Sequence, residues 1–396
     1  MRRDVASRLI QWLHAEGRRI EEPQALLHAF ATRANSIGLP LARVTLHVGT
    51  LHPLVLGHSY TWEKNASEAP AVGWEHGTQQ KDVYLTSPLK VVFEQSRAVR
   101  RRLDVPAPQL DFPVLDEIKA KGMTDYLLLP APTMAGGRPN AVSFATDRAG
   151  GFVEADVTAL GAVMPTLSLI LDLQSRVRTA RTLLDTYVGR AAGGRVLEGT
   201  IQRGSGERID AIILFCDLRG STALSERLPS EEMIALLNDF FERTVHPVHE
   251  NGGEVLKFIG DGFLAIFRTG GDDEAACSCR AVKAAHEAIA GVDALNTERG
   301  RTGHEPLRFG MALHAGSVMF GNIGAPDRLD FTVIGPAVNL AARLEQLTKA
   351  VGEPLVMSAD FARLCPLPMR ALGRHALAGL DEPQDVFAPA RELTAL

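Results

Sequence analysis

The chain has 396 residues, 45% of them hydrophobic and 22% charged, with a formal net charge of −5. That balance excludes a disordered chain and gives no general attraction to nucleic acid or to an anionic membrane. The length exceeds one ordinary domain, so two domains and a connector are expected.

The cysteines (Cys216, Cys277, Cys279 and Cys365) lack the paired spacing of a zinc site and are too few for a disulfide framework, which suits a reducing cytoplasm. No apolar core of signal-peptide length follows the N-terminus. The longest uncharged apolar stretch, Ala159 to Leu171, is short for a bilayer span, so a cytoplasmic chain with no membrane span is expected.

Residues 1–151 mix amphipathic helix patterns, such as Val5 to Leu13, with strand-like runs at Arg43 to Val48 and Tyr126 to Leu129. They read as a small α/β domain. The basic run Arg97, Arg100, Arg101 and Arg102 reads as a solvated face. Residues 152–204 read as a helical linker and hinge. From Leu160 to Tyr187, apolar residues at steps of three and four trace one seam, and the Gly-, Arg- and Ser-rich stretch Gly189 to Gly206 reads as the hinge.

The second domain occupies 205–390. A strand is expected at Ala211 to Cys216, a helix from Ser230 to about Glu250, and a hairpin of Val255 to Ile259 and Phe263 to Phe267 around Gly260-Asp261-Gly262. A helix from Asp273 to about Leu295 and a strand at Leu307 to His314 complete a βαββαβ order, the ferredoxin-like arrangement of an α+β domain. A strand at Asp330 to Ile334, a helix from Pro336 to about Ala350 and C-terminal strands within Pro368 to Phe387 add to it.

Asp217 ends the first strand and Asp261 sits at the hairpin tip, on strands that neighbour each other in such a sheet. Two carboxylates brought together repel unless a cation lies between them, and hard oxygen ligands suit Mg²⁺ or Mn²⁺. Next to Asp217, Gly220-Ser221-Thr222 turns into a helix whose free N–H groups would suit phosphate oxygens. A two-metal site for nucleotidyl chemistry follows as an expectation.

Three stretches, AIILFCDLRGST at 211–222, EVLKFIGDGFLAIF at 254–267 and DFTVIGPAVNLAARLE at 330–345, resemble the signature stretches of class III adenylyl/guanylyl cyclases. The resemblance implies that Asp217 and Asp261, with the Leu218 carbonyl, hold two divalent metal ions. It implies that Gly220, Ser221 and Thr222 bind the triphosphate, and that Asn339 and Arg343, four apart on one helix face, stabilise the transition state. Lys257 matches the base-selecting lysine of adenylyl cyclases, and Thr332 stands where many members carry Asp. Because guanine N1 is already protonated, a second donor there argues for ATP.

The activity so implied is a phosphorus-oxygen lyase reaction, ATP to 3′,5′-cyclic AMP and pyrophosphate, at the shared interface of a homodimer. Thr332 is similar to a subgroup that includes bicarbonate-responsive cyclases, which makes bicarbonate a candidate regulator. Many members carry a triphosphate-contacting Lys where this chain has Ala378, with Arg374 and His375 as substitutes to consider. SFATDRAGGFVEADVTAL at 143–160 resembles the end of a GAF-type sensor, which implies an unidentified small-molecule or protein regulator at the N-terminal domain. A guanylyl cyclase and a non-catalytic nucleotide-binding signalling module are the alternative readings.

Overall fold

The computed structural model describes residues 3–66, 71–134, 139–200, 202–270 and 273–390. They divide into two units, Met1–Leu183 and Leu184–Leu396.

In the first unit, helices α1 (Arg3–Ala15) and α2 (Pro23–Ser36) precede strands β1 (Arg43–Gly49), β2 (Val55–Glu63) and β3 (Val72–Glu75). Helices α3 (Asp82–Leu85) and α4 (Pro88–Gln95), strand β4 (Val99–Arg102), helix α5 (Pro113–Ala120), strands β5 (Asp125–Ala131) and β6 (Asn140–Thr146) and helix α6 (Glu154–Tyr187) follow. The strands form one six-stranded sheet in the order β3-β2-β1-β6-β5-β4, antiparallel throughout.

Alternation along β5 explains the layering. Leu127 faces a core shared with Leu9, Leu13, Phe30, Leu160 and Leu167 of α1, α2 and α6, whereas Tyr126 and Leu128 face Leu89, Val92, Leu115 and Ile118 of α4 and α5. The seam expected along α6 therefore divides. Leu160, Val163, Leu167 and Ile170 are buried in this unit, while Leu173, Val177 and Tyr187 are exposed. By length and composition α6 could cross a membrane, yet 56% of its apolar window is buried in the fold.

Arg97 is exposed, but the rest of the basic run departs from the solvated face expected of it. Arg100 pairs with the fully buried Asp125 at 2.8 Å and with Glu154 at 2.8 Å, Arg101 with Asp111 at 2.5 Å, and Arg102 with Asp104 at 3.0 Å. Partners up to 54 residues away, brought in by β5 and α6, are what a local reading of the run lacks.

The second unit opens with α7 (Arg190–Leu197), inside the stretch expected to be a hinge. Ala192 is fully buried, and Glu254 Oε1 accepts from the Ala191 N–H at 3.1 Å. Tertiary packing thus outweighs the glycine content. Strand β7 (Gly206–Arg219), helices α8 (Ser221–Arg227) and α9 (Ser230–Glu250), strands β8 (Glu254–Ile259) and β9 (Gly262–Arg268) and helix α10 (Glu274–Arg301) come next. Strands β10 (Arg308–Ala325) and β11 (Arg328–Ile334), helix α11 (Pro336–Val351), strand β12 (Leu355–Ser358), helix α12 (Ala359–Leu364) and strands β13 (Met369–His375) and β14 (Gln384–Pro389) complete it.

The sheet runs β13-β14-β12-β10-β7-β9-β8, with β11 on the far part of β10. The β7 run is apolar on both faces because both are covered. Ile212, Leu214 and Cys216 face α9 and α10, whereas Ala211 and Ile213 share a cluster with Ala337 and Ala341 of α11. Strand β10 is 18 residues long, more than twice the expected Leu307 to His314, because its glycine-punctuated second half pairs with β7 and β11. The class is a mixed α+β fold.

Candidate active site

The site begins with register. Asp217 stands opposite Gly262 across the β7–β9 ladder, so Asp261, one residue earlier at the hairpin tip, lies beside it. The Leu218 N–H donates to the Asp261 carbonyl at 3.3 Å, which ties the tip to the strand end. Glycine is required at 262. A Cβ there would overlap the Cys216 carbonyl and stand 2.5 Å from Asp217 Oδ1, displacing the carboxylate.

Burial and the neighbouring Asp261 push the Asp217 carboxyl up to about 6. Mutual repulsion of this kind favours a bound cation over the empty pair. The donor set, two carboxylates and a main-chain carbonyl at one strand end, and the cradle left by Gly262 fit a hard divalent ion. Among the described residues, no three His, Cys, Asp or Glu side chains are already arranged as a complete metal cage. The remaining ligands would therefore come from substrate or water, the usual state of a magnesium site at a phosphate.

After Asp217 the chain turns at Gly220, φ 76°, into α8, whose first residues are Ser221 and Thr222. The left-handed conformation favours glycine and turns the chain from β7 directly into α8. Ser221 is half-buried and Thr222 exposed.

Lys257 reaches its place through a bulge. The ladder shifts between Val255 and Lys257, so Lys257 stands opposite Leu264, on the face that holds Leu256, Phe331 and Val333. Strand β11 lies against β8. Thr332 is buried, and its hydroxyl has no hydrogen-bond partner among the described residues. A buried unsatisfied hydroxyl is costly unless something else occupies it.

Asn339 and Arg343 lie on α11. Asn339 is exposed, and the Arg343 guanidinium lies over Gly379, Nη2 being 3.0 Å from where a Cβ there would be. Neither residue hydrogen-bonds to Asp217 or Asp261 among the described residues. Within one chain the structure thus joins the two aspartates, and among the described residues no hydrogen bond links the α11 pair to them. Ala378 is exposed beside Gly379. The two substitutes considered for a lysine there are otherwise engaged. Arg374 lies 3.9 Å from Asp385 and donates to the Pro383 carbonyl at 3.1 Å, and His375 Nε2 donates to the Leu372 carbonyl at 3.1 Å.

One site residue escapes the sequence reading. Glu345 is buried on the inner face of α11, and burial with the charge of Asp217 pushes its carboxyl up to about 7. The available signal is a pair of polar residues, Glu345 and Thr348, one turn apart on an otherwise apolar helix face.

Residues 206–362 match the family described as the adenylate and guanylate cyclase catalytic domain. An adenylate cyclase of Anabaena cylindrica is 36% identical over 184 residues, which is 44% of this chain and 36% of that protein. An uncharacterized protein of Mycobacterium tuberculosis is 35% identical over 239 residues, 59% of this chain and 42% of that protein. The chain spans about two-fifths of the length of the curated relatives it matches.

Among solved structures, the adenylyl cyclase CyaB from P. aeruginosa is similar at 27% identity and a TM-score of 0.41, covering 47% of this chain and 96% of that one. The guanylyl cyclase Cya2 is similar at 28% identity and a TM-score of 0.42, covering 47% and 93%. Residues 206–362, within the second unit, belong to the adenylate and guanylate cyclase catalytic family.

Proposed function

We propose that this domain is an adenylyl cyclase that forms 3′,5′-cyclic AMP and pyrophosphate from ATP, with a ferredoxin-like core and two shared sites in a homodimer. The observation that carries the reading is the repelling pair Asp217 and Asp261 at one strand end, cradled by Gly262. Divalent cations held there, Mg²⁺ or Mn²⁺, would supply the positive charge that acidifies a ribose hydroxyl and neutralises a triphosphate.

The chain's own residues do the rest. Asp217, Asp261 and the Leu218 carbonyl would hold the cations. Gly220, Ser221 and Thr222 offer N–H and hydroxyl donors to the triphosphate. The 3′-oxygen then bonds to the α-phosphorus as its bond to the bridging oxygen breaks, and the hydroxyl proton leaves to solvent. Arg343 presents a fork of donors to charge developing on the phosphoryl oxygens, and Asn339 a neutral donor beside it.

The exposure of Asn339, and the absence of any hydrogen bond from Asn339 or Arg343 to the aspartates among the described residues, support a site completed by a second copy. Lys257 and the unpartnered Thr332 hydroxyl support adenine, one as donor to N1 and the other as acceptor from the exocyclic amine. The exposed Leu173, Val177 and Tyr187 on α6 support a helix that pairs with its copy and carries regulation from a GAF-like N-terminal unit, whose ligand is unidentified. Bicarbonate remains a candidate regulator, and the cytoplasm the proposed location.

The test is cyclic nucleotide production from ATP and from GTP by the full chain, in Mg²⁺ and in Mn²⁺, beside Asp261→Ala. Metal-dependent cyclic AMP that falls by about a thousandfold in the variant is expected. Preferential cyclic GMP would make it a guanylyl cyclase, and no product from either nucleotide would leave a nucleotide-binding module.

A further inference from the structure

Glu345 is only 6% exposed, and the reaction just described gives it no task. Its position follows from strand register. Gly310 stands opposite Asp217 across the β7–β10 ladder. A Cβ at Gly310 would overlap both Glu345 Oε1 and Thr348 Oγ1. The Glu345 carboxylate therefore fills the gap that the missing side chain leaves behind Asp217.

Around it, Arg219 Nη2 donates to Thr348 Oγ1 at 2.5 Å, and the Thr348 hydroxyl donates to the Glu345 carbonyl. The first explanation to weigh is a plain structural ion pair between Arg219 and Glu345. The structure does not form it: Arg219 spends its bond on Thr348, and no Arg219–Glu345 contact within ion-pair distance occurs among the described residues. The charges Glu345 feels are those of Asp217 and Asp261, which oppose its ionisation, and of Arg219, which favours it. Three carboxylates against one guanidinium is an arrangement that weakens the metal-free fold and that a divalent cation relieves.

We propose that Glu345 is a positioning residue: set behind Asp217 in the space left by Gly310, its carboxylate adds negative charge to the strand end and tightens the hold on a divalent cation. This rests on the reading of Asp217 and Asp261 as metal ligands. Glu345 acts from outside the coordination sphere, and Thr348 and Arg219 fix the segment of α11 that carries it. The same segment carries Arg343, so one polar cluster couples the helix of the transition-state pair to the strand of the metal-binding pair.

The test titrates the full chain at pH 8 with Mn²⁺, free ion being read by its paramagnetic resonance signal, with 3′-deoxy-ATP present so that no turnover occurs. Thermal unfolding of metal-free protein is read alongside. Glu345→Gln is expected to raise the Mn²⁺ dissociation constant about tenfold, with a metal-free Tm equal to or above that of the parent, and Glu345→Asp to recover part of the affinity.

An unchanged dissociation constant in Glu345→Gln overturns the proposal. So does a weakened one accompanied by a lowered Tm and no recovery in Glu345→Asp, which is the behaviour of a residue needed only for packing. Asp261→Ala separates the two levels of inference. If parent and Asp261→Ala bind Mn²⁺ alike, the metal-ligand reading fails and this one with it. If Asp261→Ala loses binding while Glu345→Gln keeps it, only the role of Glu345 fails.

Discussion

Buried and half-buried acids in the two units live under opposite conditions. In the first unit Asp125, fully buried, accepts from Arg100 at 2.8 Å and from the Phe152 N–H at 3.0 Å, and Asp156 accepts from Arg148 at 2.5 Å. In the second, Asp217, Asp261 and Glu345 face one another, and none is ion-paired with a lysine or arginine among the described residues. An acid given a guanidinium and a backbone donor is part of the architecture. An acid packed against other acids is held at a cost to the fold, and such sites are where chemistry is found.

Mutation should sharpen the contrast, because the same kind of change is expected to act with opposite sign. The largest effect belongs to Asp125→Ala, which strands Arg100 beside a hole. Loss of about 3 kcal/mol from the stability of the first unit is expected in denaturant unfolding, and a smaller loss than for an ordinary surface pair would undo the architectural reading.

Next comes substrate choice. Lys257→Glu with Thr332→Cys should shift the ratio of kcat/KM for ATP over GTP by about tenfold toward GTP, and an unchanged ratio would remove these residues from base selection. The smallest effect carries the reversed sign. The Asp217 carboxyl is raised from 3.8 to about 6, so its ionisation works against the metal-free fold. That penalty is absent below pH 3.8, grows through the interval and is complete above about pH 6. Asp217→Asn should therefore raise the metal-free Tm at pH 8 by about 2 °C, give no gain near pH 3.5, and abolish metal-dependent turnover. A lower Tm at pH 8 would erase the contrast with Asp125.

How much of this was open to a reader of the sequence depends on how local each signal is. The hairpin at Gly260-Asp261-Gly262 and helices α9 and α11 lie where their periodicity puts them, since turn chemistry and amphipathic spacing are contained in a few residues. Strand β12, four residues long, is formed by parallel pairing of Leu355 to Met357 with Met311 to Leu313, which no neighbouring residue announces. The α7 segment looks like a hinge until Glu254 caps it from more than sixty residues away.

At the site, Asp217 and Asp261 could be paired from sequence because one hairpin and one strand order suffice. Glu345 could not, because its meaning depends on which residue of β10 stands opposite Asp217, a register fixed by the ladder as a whole. Periodicity gave the outline of α6, but only packing divides Leu167, buried, from Leu173, exposed.

Strand β10 measures length as well as holding register. It sets Gly310 opposite Asp217 near one end and Gly321 opposite Thr332 near the other. Between those points the alternation of faces leaves no slack: one codon gained or lost would turn every later side chain to the wrong side of the sheet. Surface loops tolerate a residue more or less, whereas between Gly310 and Gly321 the number of residues decides which side chains reach the site.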